Sequence, residues 1–404
     1  MLDQPITTGT RGSAQLLENL GEIQSDSLLK LIALANADPR PDKIDVGVGV
    51  YRDGVGNTPI LRALKAAEKL LWERQETKSY IGGFGDIRFA ELLRPFVLGH
   101  HASDDRIVGL QTPGGCGALS LAFKLIAAAK PNAEVLIGTP TWPNHMPVVR
   151  AANLGIREYR YYDRLQTRIC FDEMMEALKA ADAGDVVLLH GCCHNPTGAD
   201  LSLDQWGEVV DAVAGGGLLP VVDIAYQGLG RGFAEDAAGL HLLLDACDEV
   251  IIAQSCDKNF GVYRDRVGSM FVKTAQASTT KHAMTHLAQI AREMWSMPPD
   301  HGAAAVRIVL ENEELRADWD AEVGEMRDRI NRIRGAIAAA DSRLAYIGNQ
   351  FGMFSMLPVT VEQVLQLREK HAIYMADSGR FNVIGMADHA VDRFIAAVVG
   401  TMDG

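Results

Sequence analysis

The sequence predicts an α/β protein in which a mainly parallel sheet is covered by helices on both faces, and two features predict it. From about Pro113 to Val272, short apolar runs alternate with longer stretches of helical spacing, the pattern left by parallel strands joined through crossover helices. The runs lie at Glu134 to Gly138, Asp185 to Gly191, Leu218 to Tyr226, Glu249 to Ser255 and Val267 to Val272. They are brief, rich in Val, Ile and Leu, and bounded by Gly, Pro or Asp, as befits strands buried on both faces. Between them, Ala118 to Ala129 and Leu203 to Ala214 show helical spacing, the second opened by the turn-forming Pro196-Thr197-Gly198.

After Pro298-Pro299 the composition changes to long charged helical stretches, including Glu311 to Ala340, followed by a strand-like segment near Gly352 to Leu357. A chain of 404 residues is long enough for more than one domain. The expected division is an N-terminal arm at 1–15, a small domain from 16–53 and 315–404, and a large domain at 54–314. No internal repeat or low-complexity tract interrupts it.

The formal net charge of -13 speaks against nucleic acid, because a phosphate backbone needs a basic face to release its counterions. Six cysteines are too sparse for a disulfide scaffold and form no C-x-x-C repeat for zinc. The opening MLDQPITTGT lacks a basic segment followed by an apolar one, and no run of 18 apolar residues occurs, so a cytoplasmic protein without a membrane span is expected.

The chemistry centres on Ser255-Cys256-Asp257-Lys258-Asn259-Phe260-Gly261, followed by Arg266-Val267-Gly268. A lysine just past a buried strand end is desolvated, which depresses its pKa towards the neutral nucleophile that a carbonyl cofactor needs. A lysine with a nearby arginine is by itself usually a solvated surface pair. The remaining chain reverses that reading by supplying the other groups pyridoxal phosphate requires. Gln111 to Ala118 is a glycine-rich turn leading into a helix, where backbone amides cradle a phosphate. Asp223 ends an apolar strand, placed to keep a pyridine nitrogen protonated, and Tyr226 follows it with a phenol. His190 to Gly198 offers the Asn195 amide. Its Cys192-Cys193-His194 cluster is not read as a metal site, because adjacent cysteines are poorly placed to chelate one ion. No metal is expected.

From about Asp26 onward these residues resemble the class I aspartate and aromatic amino acid aminotransferases of fold type I. The motifs stand in that family's order: Val48-Gly49-Val50-Tyr51, Gln111 to Ala118, Thr141-Trp142-Pro143-Asn144-His145, His190 to Gly198, Asp223 to Gly228, Lys258 to Gly268 and Ser378-Gly379-Arg380. The resemblance implies a seven-stranded, mainly parallel sheet and a Schiff base between Lys258 and pyridoxal 5′-phosphate. It implies that Asp223 pairs with the pyridine nitrogen, supported by His145, and that Asn195 and Tyr226 hold the phenolic oxygen. Trp142 covers the ring, while Gly115, Cys116, Ser255 and Arg266 hold the phosphate, joined by Tyr80 from a second subunit of a homodimer. Arg380, with Asn195 and the Gly49 backbone, takes the substrate α-carboxylate, for which a planar guanidinium is the fitting partner. Arg292 reaches across the dimer to a side-chain carboxylate. The implied reaction is ping-pong transamination between an amino acid and 2-oxoglutarate.

The chain departs from that pattern in places. Cys116 stands where Thr or Ser is usual, and Asp257 precedes the lysine where a small residue is usual. Alternation along a strand predicts that Asp257 points away from the lysine. Met297, Phe351 and Ser79 occupy positions that are commonly Asn in the aspartate-specific branch, which makes the pocket less polar and favours aromatic side chains alongside dicarboxylates. Competing readings are an aspartate-specific aminotransferase, a pyridoxal phosphate lyase or decarboxylase on the same fold, and a non-catalytic relative.

Overall fold

The computed structural model describes residues 27–403, with Leu17 and Leu20 before them. The expected arm at 1–15 lies outside the described residues. The centre is a sheet of seven strands: β1 (Ile107–Pro113), β2 (Glu134–Thr139), β3 (Gly155–Arg160), β4 (Val186–His190), β5 (Leu219–Ile224), β6 (Val250–Ser255) and β7 (Val267–Lys273). Their order across the sheet is β1-β7-β6-β5-β4-β2-β3. Strand β7 runs antiparallel to both neighbours, and the other pairings are parallel. Strands β6 and β7 are buried along their whole length, which accounts for their unbroken apolar character.

All five expected strands form, to within two residues at each end, and the expected helices form as Gly114–Ala129, which starts four residues before Ala118, and Leu203–Gly216. Two strands escaped the apolar pattern. Strand β1 carries Gly109, Gln111 and Thr112, whose polar atoms are satisfied inside the fold; the Gln111 side chain receives the Asp86 N–H and donates to the Pro299 carbonyl. Strand β3, Gly-Ile-Arg-Glu-Tyr-Arg, lies at the sheet edge, where charged side chains reach water and discourage pairing with another chain. The helical stretch expected from Glu311 to Ala340 forms as helix Glu313–Ala340, preceded by helix Asp300–Glu311. They break at Asn312, whose backbone is extended and whose side chain accepts the Leu315 N–H as an N-cap.

Outside the sheet, Ile44–Asp45 pairs in parallel with Ile373–Tyr374, and Phe354–Met356 pairs antiparallel with Arg380–Asn382. The Asn382 side-chain amide donates to the carbonyls of Val48 and Val50, 2.7 Å each, fixing the loop that contains Gly49. Buried Arg334 does comparable work, donating to the carbonyls of Ile347, Phe351, Gly352 and Phe354 at 2.5–3.3 Å. Gly198 has φ +71°, and a Cβ there would lie 2.3 Å from the Phe354 oxygen and 2.8 Å from Arg334 Nη2. The turn after Asn195 therefore packs directly on the 351–354 segment. Among the described residues no helix is long and apolar enough to cross a membrane.

Replacing Arg334 by Leu leaves several buried carbonyls without donors, each costing about 1–3 kcal/mol. Urea unfolding is expected to show a loss of at least ~2 kcal/mol; an unchanged midpoint would contradict this role for the guanidinium.

Candidate active site

The groups that carry chemistry gather at the carboxyl ends of the parallel strands, where open α/β sheets bind ligands. Strand β4 leads to Asn195, β5 to Tyr226 and β6 to Lys258. Because β7 is antiparallel, its entrance lies at the same edge: Val267 faces Pro113, and Gly268 faces both Thr112 and Ser255. Arg266, just before β7, therefore stands beside Gly114 and Lys258, which lie beyond the ends of β1 and β6.

Lys258 sits in the turn after β6, its Nζ 5.0 Å from the centre of the Tyr226 ring. Burial lowers its pKa below the ordinary lysine value, against the opposing pull of Asp257 and Asp223. Buried Asp223 accepts a 3.0 Å hydrogen bond from His145 Nε2, whose Nδ1 lies 2.7 Å from the Thr141 hydroxyl. Burial pushes the Asp223 carboxyl upward, but its hydrogen bond from His145 and the neighbouring Lys258 hold it below the usual carboxylate value. Trp142 meets the His145 ring edge-on, with centroids 5.3 Å apart. The Asn195 amide donates to the Tyr226 hydroxyl at 3.4 Å, while Asn195 Oδ1 is buried without a hydrogen-bond partner among the described residues. Burial raises the Tyr226 pKa, so its phenol keeps its proton for donation.

An anion cradle adjoins the lysine. Helix Gly114–Ala129 starts without a side-chain cap, leaving its first amides free of intrahelical partners. Gly114 has φ +68°, and a Cβ there would lie 2.7 Å from Arg266 Nη2 and 3.2 Å from Asp257 Oδ2. A Cβ at Gly115 would lie 3.1 Å from that of Ser255. Cys116 accepts a hydrogen bond from the Asn144 amide at 3.3 Å, and burial raises its pKa, so it stands there as a neutral thiol.

Asp257 does not behave as strand alternation predicts. The strand ends at Ser255, and Asp257 lies in the following turn, where alternation does not apply. Its carboxylate receives a hydrogen bond from Arg266 and one from the Val267 N–H at 3.3 Å. It is also the foremost charge raising the Lys258 pKa.

Arg380 is buried, with Nη2 donating to the Gly47 carbonyl at 2.7 Å and its guanidinium 4.9 Å from the Phe354 ring centre. Sequence reasoning missed Phe354, whose apolar character gave no functional signal. Its ring is edge-on to Tyr226 at 6.0 Å, and a Cβ at Gly49 would lie 2.9 Å from its Cζ. His190 was also passed over. Its ring lies 5.0 Å from that of His145, its Nε2 is buried without a partner among the described residues, and burial lowers its pKa to about 3.

Two sequence-predicted residues are not gathered into this site within one chain. Tyr80 is 92% exposed, and Arg292 is exposed at the end of helix Ala277–Met294. Their segments adjoin each other, since the Ile81 N–H points to the Met297 sulfur at 3.3 Å. Ser79 is exposed and bonded to Thr77, and Phe351 packs beneath the Arg231 guanidinium at 4.8 Å. Cys192 and Cys193, expected to be poorly placed to chelate one ion, do bring both sulfurs within 4.8 Å of each other and of an Asp236 oxygen. Cys192 is pushed up to about 11 by burial despite the lowering hydrogen bond from Cys193, so these are neutral thiols. Asp236 is already bound by the N–H groups of Gly228, Gly230 and Arg231.

Comparison with known proteins agrees with this geometry. The family model described as aminotransferase class I and II matches residues 41–398. A tyrosine aminotransferase of Rhizobium meliloti is 46% identical, covering 92% of this chain and 96% of its own. An aspartate aminotransferase of Escherichia coli is 40% identical, covering 96% of this chain and 100% of its own. The structure of an aromatic-amino-acid aminotransferase from Burkholderia pseudomallei, covalently bound to pyridoxal phosphate, superposes with a TM-score of 0.92 at 35% identity, covering 96% of this chain and 99% of its own. With a matching family model over most of its length and relatives at this identity, the chain belongs to the class I and II aminotransferases and is an enzyme of transamination.

Proposed function

We propose that this aminotransferase holds pyridoxal 5′-phosphate on Lys258 and exchanges amino groups between aromatic or dicarboxylic L-amino acids and 2-oxoglutarate in a ping-pong cycle. The observation that carries this is the desolvated Lys258 amine set between the Asp223–His145 pair and the cradle of Gly114, Gly115, Ser255 and Arg266. These residues fit the cofactor: the glycines leave space where a Cβ would collide, and the orphaned Asn195 Oδ1 awaits a polar ligand. Bound there, the cofactor supplies a carbonyl carbon for the amino group and a ring that takes up electrons from the substrate Cα.

The protein's part follows from its own groups. Ser255, the first amides of helix Gly114–Ala129 and Arg266 hold the phosphate, with Cys116 contributing a weaker donor than the usual hydroxyl. Asp223, kept ionised by His145, holds a proton on the ring nitrogen. Tyr226 and Asn195 donate to the phenolic oxygen, and Trp142 covers the ring. Arg380, with Asn195 and the Gly49 backbone, orients the α-carboxylate. Lys258 Nζ, its pKa lowered by burial, receives the Cα proton and returns it.

Tyr80 and Arg292 complete the site of a second copy, so the working unit is a homodimer with shared sites. Their exposure in one chain, with neighbouring Ile81 also exposed, supports this reading. The domain division at 16–53 with 315–404 and 54–314 is part of the same proposal. The sheet lies wholly between residues 107 and 273, while Ile44–Asp45 pairs with Ile373–Tyr374. Retained Arg292 supports dicarboxylates, and Met297 and Phe351 support aromatic side chains, in keeping with relatives named for both. A cytoplasmic setting is consistent with six free cysteines.

A half-reaction panel with glutamate, aspartate, tyrosine, phenylalanine and tryptophan is expected to convert the cofactor absorbance with both classes of substrate. Response to aspartate and glutamate alone would mark the aspartate-specific alternative, and no response to any would overturn the proposal. In Lys258→Ala, turnover should fall by at least about 10²-fold, with loss of borohydride trapping.

Arg292→Ala should raise KM for glutamate and aspartate by about 10–100-fold, the worth of a charge-assisted hydrogen bond, while leaving phenylalanine little changed. Mixing Arg292→Ala with Lys258→Ala chains should restore dicarboxylate turnover through mixed dimers that contain one intact site. Failure of complementation after verified subunit exchange counts against shared sites.

Asp257→Asn removes the foremost charge that raises the Lys258 pKa, so the amine should deprotonate at lower pH. The rate at which cofactor-free enzyme takes up pyridoxal phosphate should then begin its rise at lower pH than in the parent. A shift the other way would refute this reading of Asp257.

A further inference from the structure

We propose that His100, His101 and Asp245 form a surface site for one divalent first-row transition ion of the zinc class, away from the catalytic centre. The two histidines lie in the short turn Gly99–Ser103, and Asp245 lies on helix Ala238–Ala246, 144 residues or more away along the chain. His100 Nε2 is 3.0 Å and His101 Nε2 2.9 Å from the same Asp245 Oδ1, and the three atoms lie within 4.8 Å of one another. Consecutive residues ordinarily send their side chains apart, yet here both imidazoles converge on one point, with ring centres 4.0 Å apart. Zinc bound at about 2.0–2.2 Å sets its tetrahedral ligands about 3.3–3.5 Å from one another. A small opening of the triad thus admits the ion, leaving a position for water.

The supports are fixed before any ion arrives. Arg94 donates to the carbonyls of Ala102, Asp104 and Ile107 at 2.6–3.0 Å, bracing the turn from within. Gly99, at φ +55°, packs so closely that a Cβ would lie 2.7 Å from the His241 ring. That ring is anchored on the Val97 carbonyl at 3.1 Å. Turn and helix are therefore in register, and binding needs little ordering of the backbone. Imidazole and carboxylate suit zinc, cobalt and nickel, whereas magnesium and calcium favour sites built wholly of oxygen ligands. The expectation of no metal overlooked this triad because only folding brings Asp245 to the histidines.

Untagged holoenzyme titrated with Co2+ should take up one ion per chain, with visible d–d bands well to the red of the cofactor, and Zn2+ should displace it. His101→Ala should remove the bands, and the conservative Asp245→Asn should weaken binding at least tenfold, both with transamination unchanged. No binding at millimolar Co2+, or bands that survive in the double variant His101→Ala/Asp245→Asn, would overturn the site.

Discussion

Strand β7 enters the sheet against the direction of its neighbours, and the active centre depends on that reversal. A parallel strand in its place would deliver its leading residue to the opposite edge, far from the ends of β1 and β6. Antiparallel entry instead brings Arg266 to Gly114 and to the turn that carries Lys258. The anion cradle thus comes from three strand ends, and the glycines at 114, 115 and 268 are where they meet most closely. A Cβ at Gly268 would lie 2.6 Å from both the Gln254 oxygen and the Gly114 carbonyl carbon.

Two opposing influences set the state of the lysine. Burial favours the neutral amine, while the carboxylates of Asp257 and Asp223 favour the ammonium, and burial prevails. Asp257 also engages Arg266, so one carboxylate touches both the charge of the cradle and the basicity of the amine. Under the function proposed above, a phosphate held by Arg266 would compete with Asp257 for the same guanidinium. On that reading, cofactor retention and lysine reactivity would be coupled through a single side chain.

Much of this was legible in the chain, since strands buried on both faces leave continuous apolar runs and chemistry-bearing residues follow their ends. Asp223, Tyr226, Asn195 and Lys258 were singled out that way, and the structure gathers them at the carboxyl ends of the strands. What stayed hidden depends on contacts between distant segments. The reversed direction of β7 leaves no mark on composition, and β1 and β3 mix polar residues into their pattern. Phe354 reads as an ordinary core residue until its ring is seen against Gly49, Arg380 and Tyr226. Asp257 was misjudged because the strand stops two residues earlier than alternation assumed. Tyr80 and Arg292 were recognised from the family resemblance, and one chain alone leaves them facing outward.

The grip of Arg334 on the 351–354 segment separates two properties that are often entangled. The Phe351 carbonyl is held by Arg334 and its N–H by the Gly198 carbonyl, so its backbone is pinned from both sides. Its side chain is only partly buried, beneath Arg231. A change of residue at 351 can therefore alter the packing beneath Arg231 without disturbing the neighbouring Phe354 contact to Arg380. Under the function proposed above, such an arrangement would let substrate range drift over evolutionary time while Arg380 keeps its place.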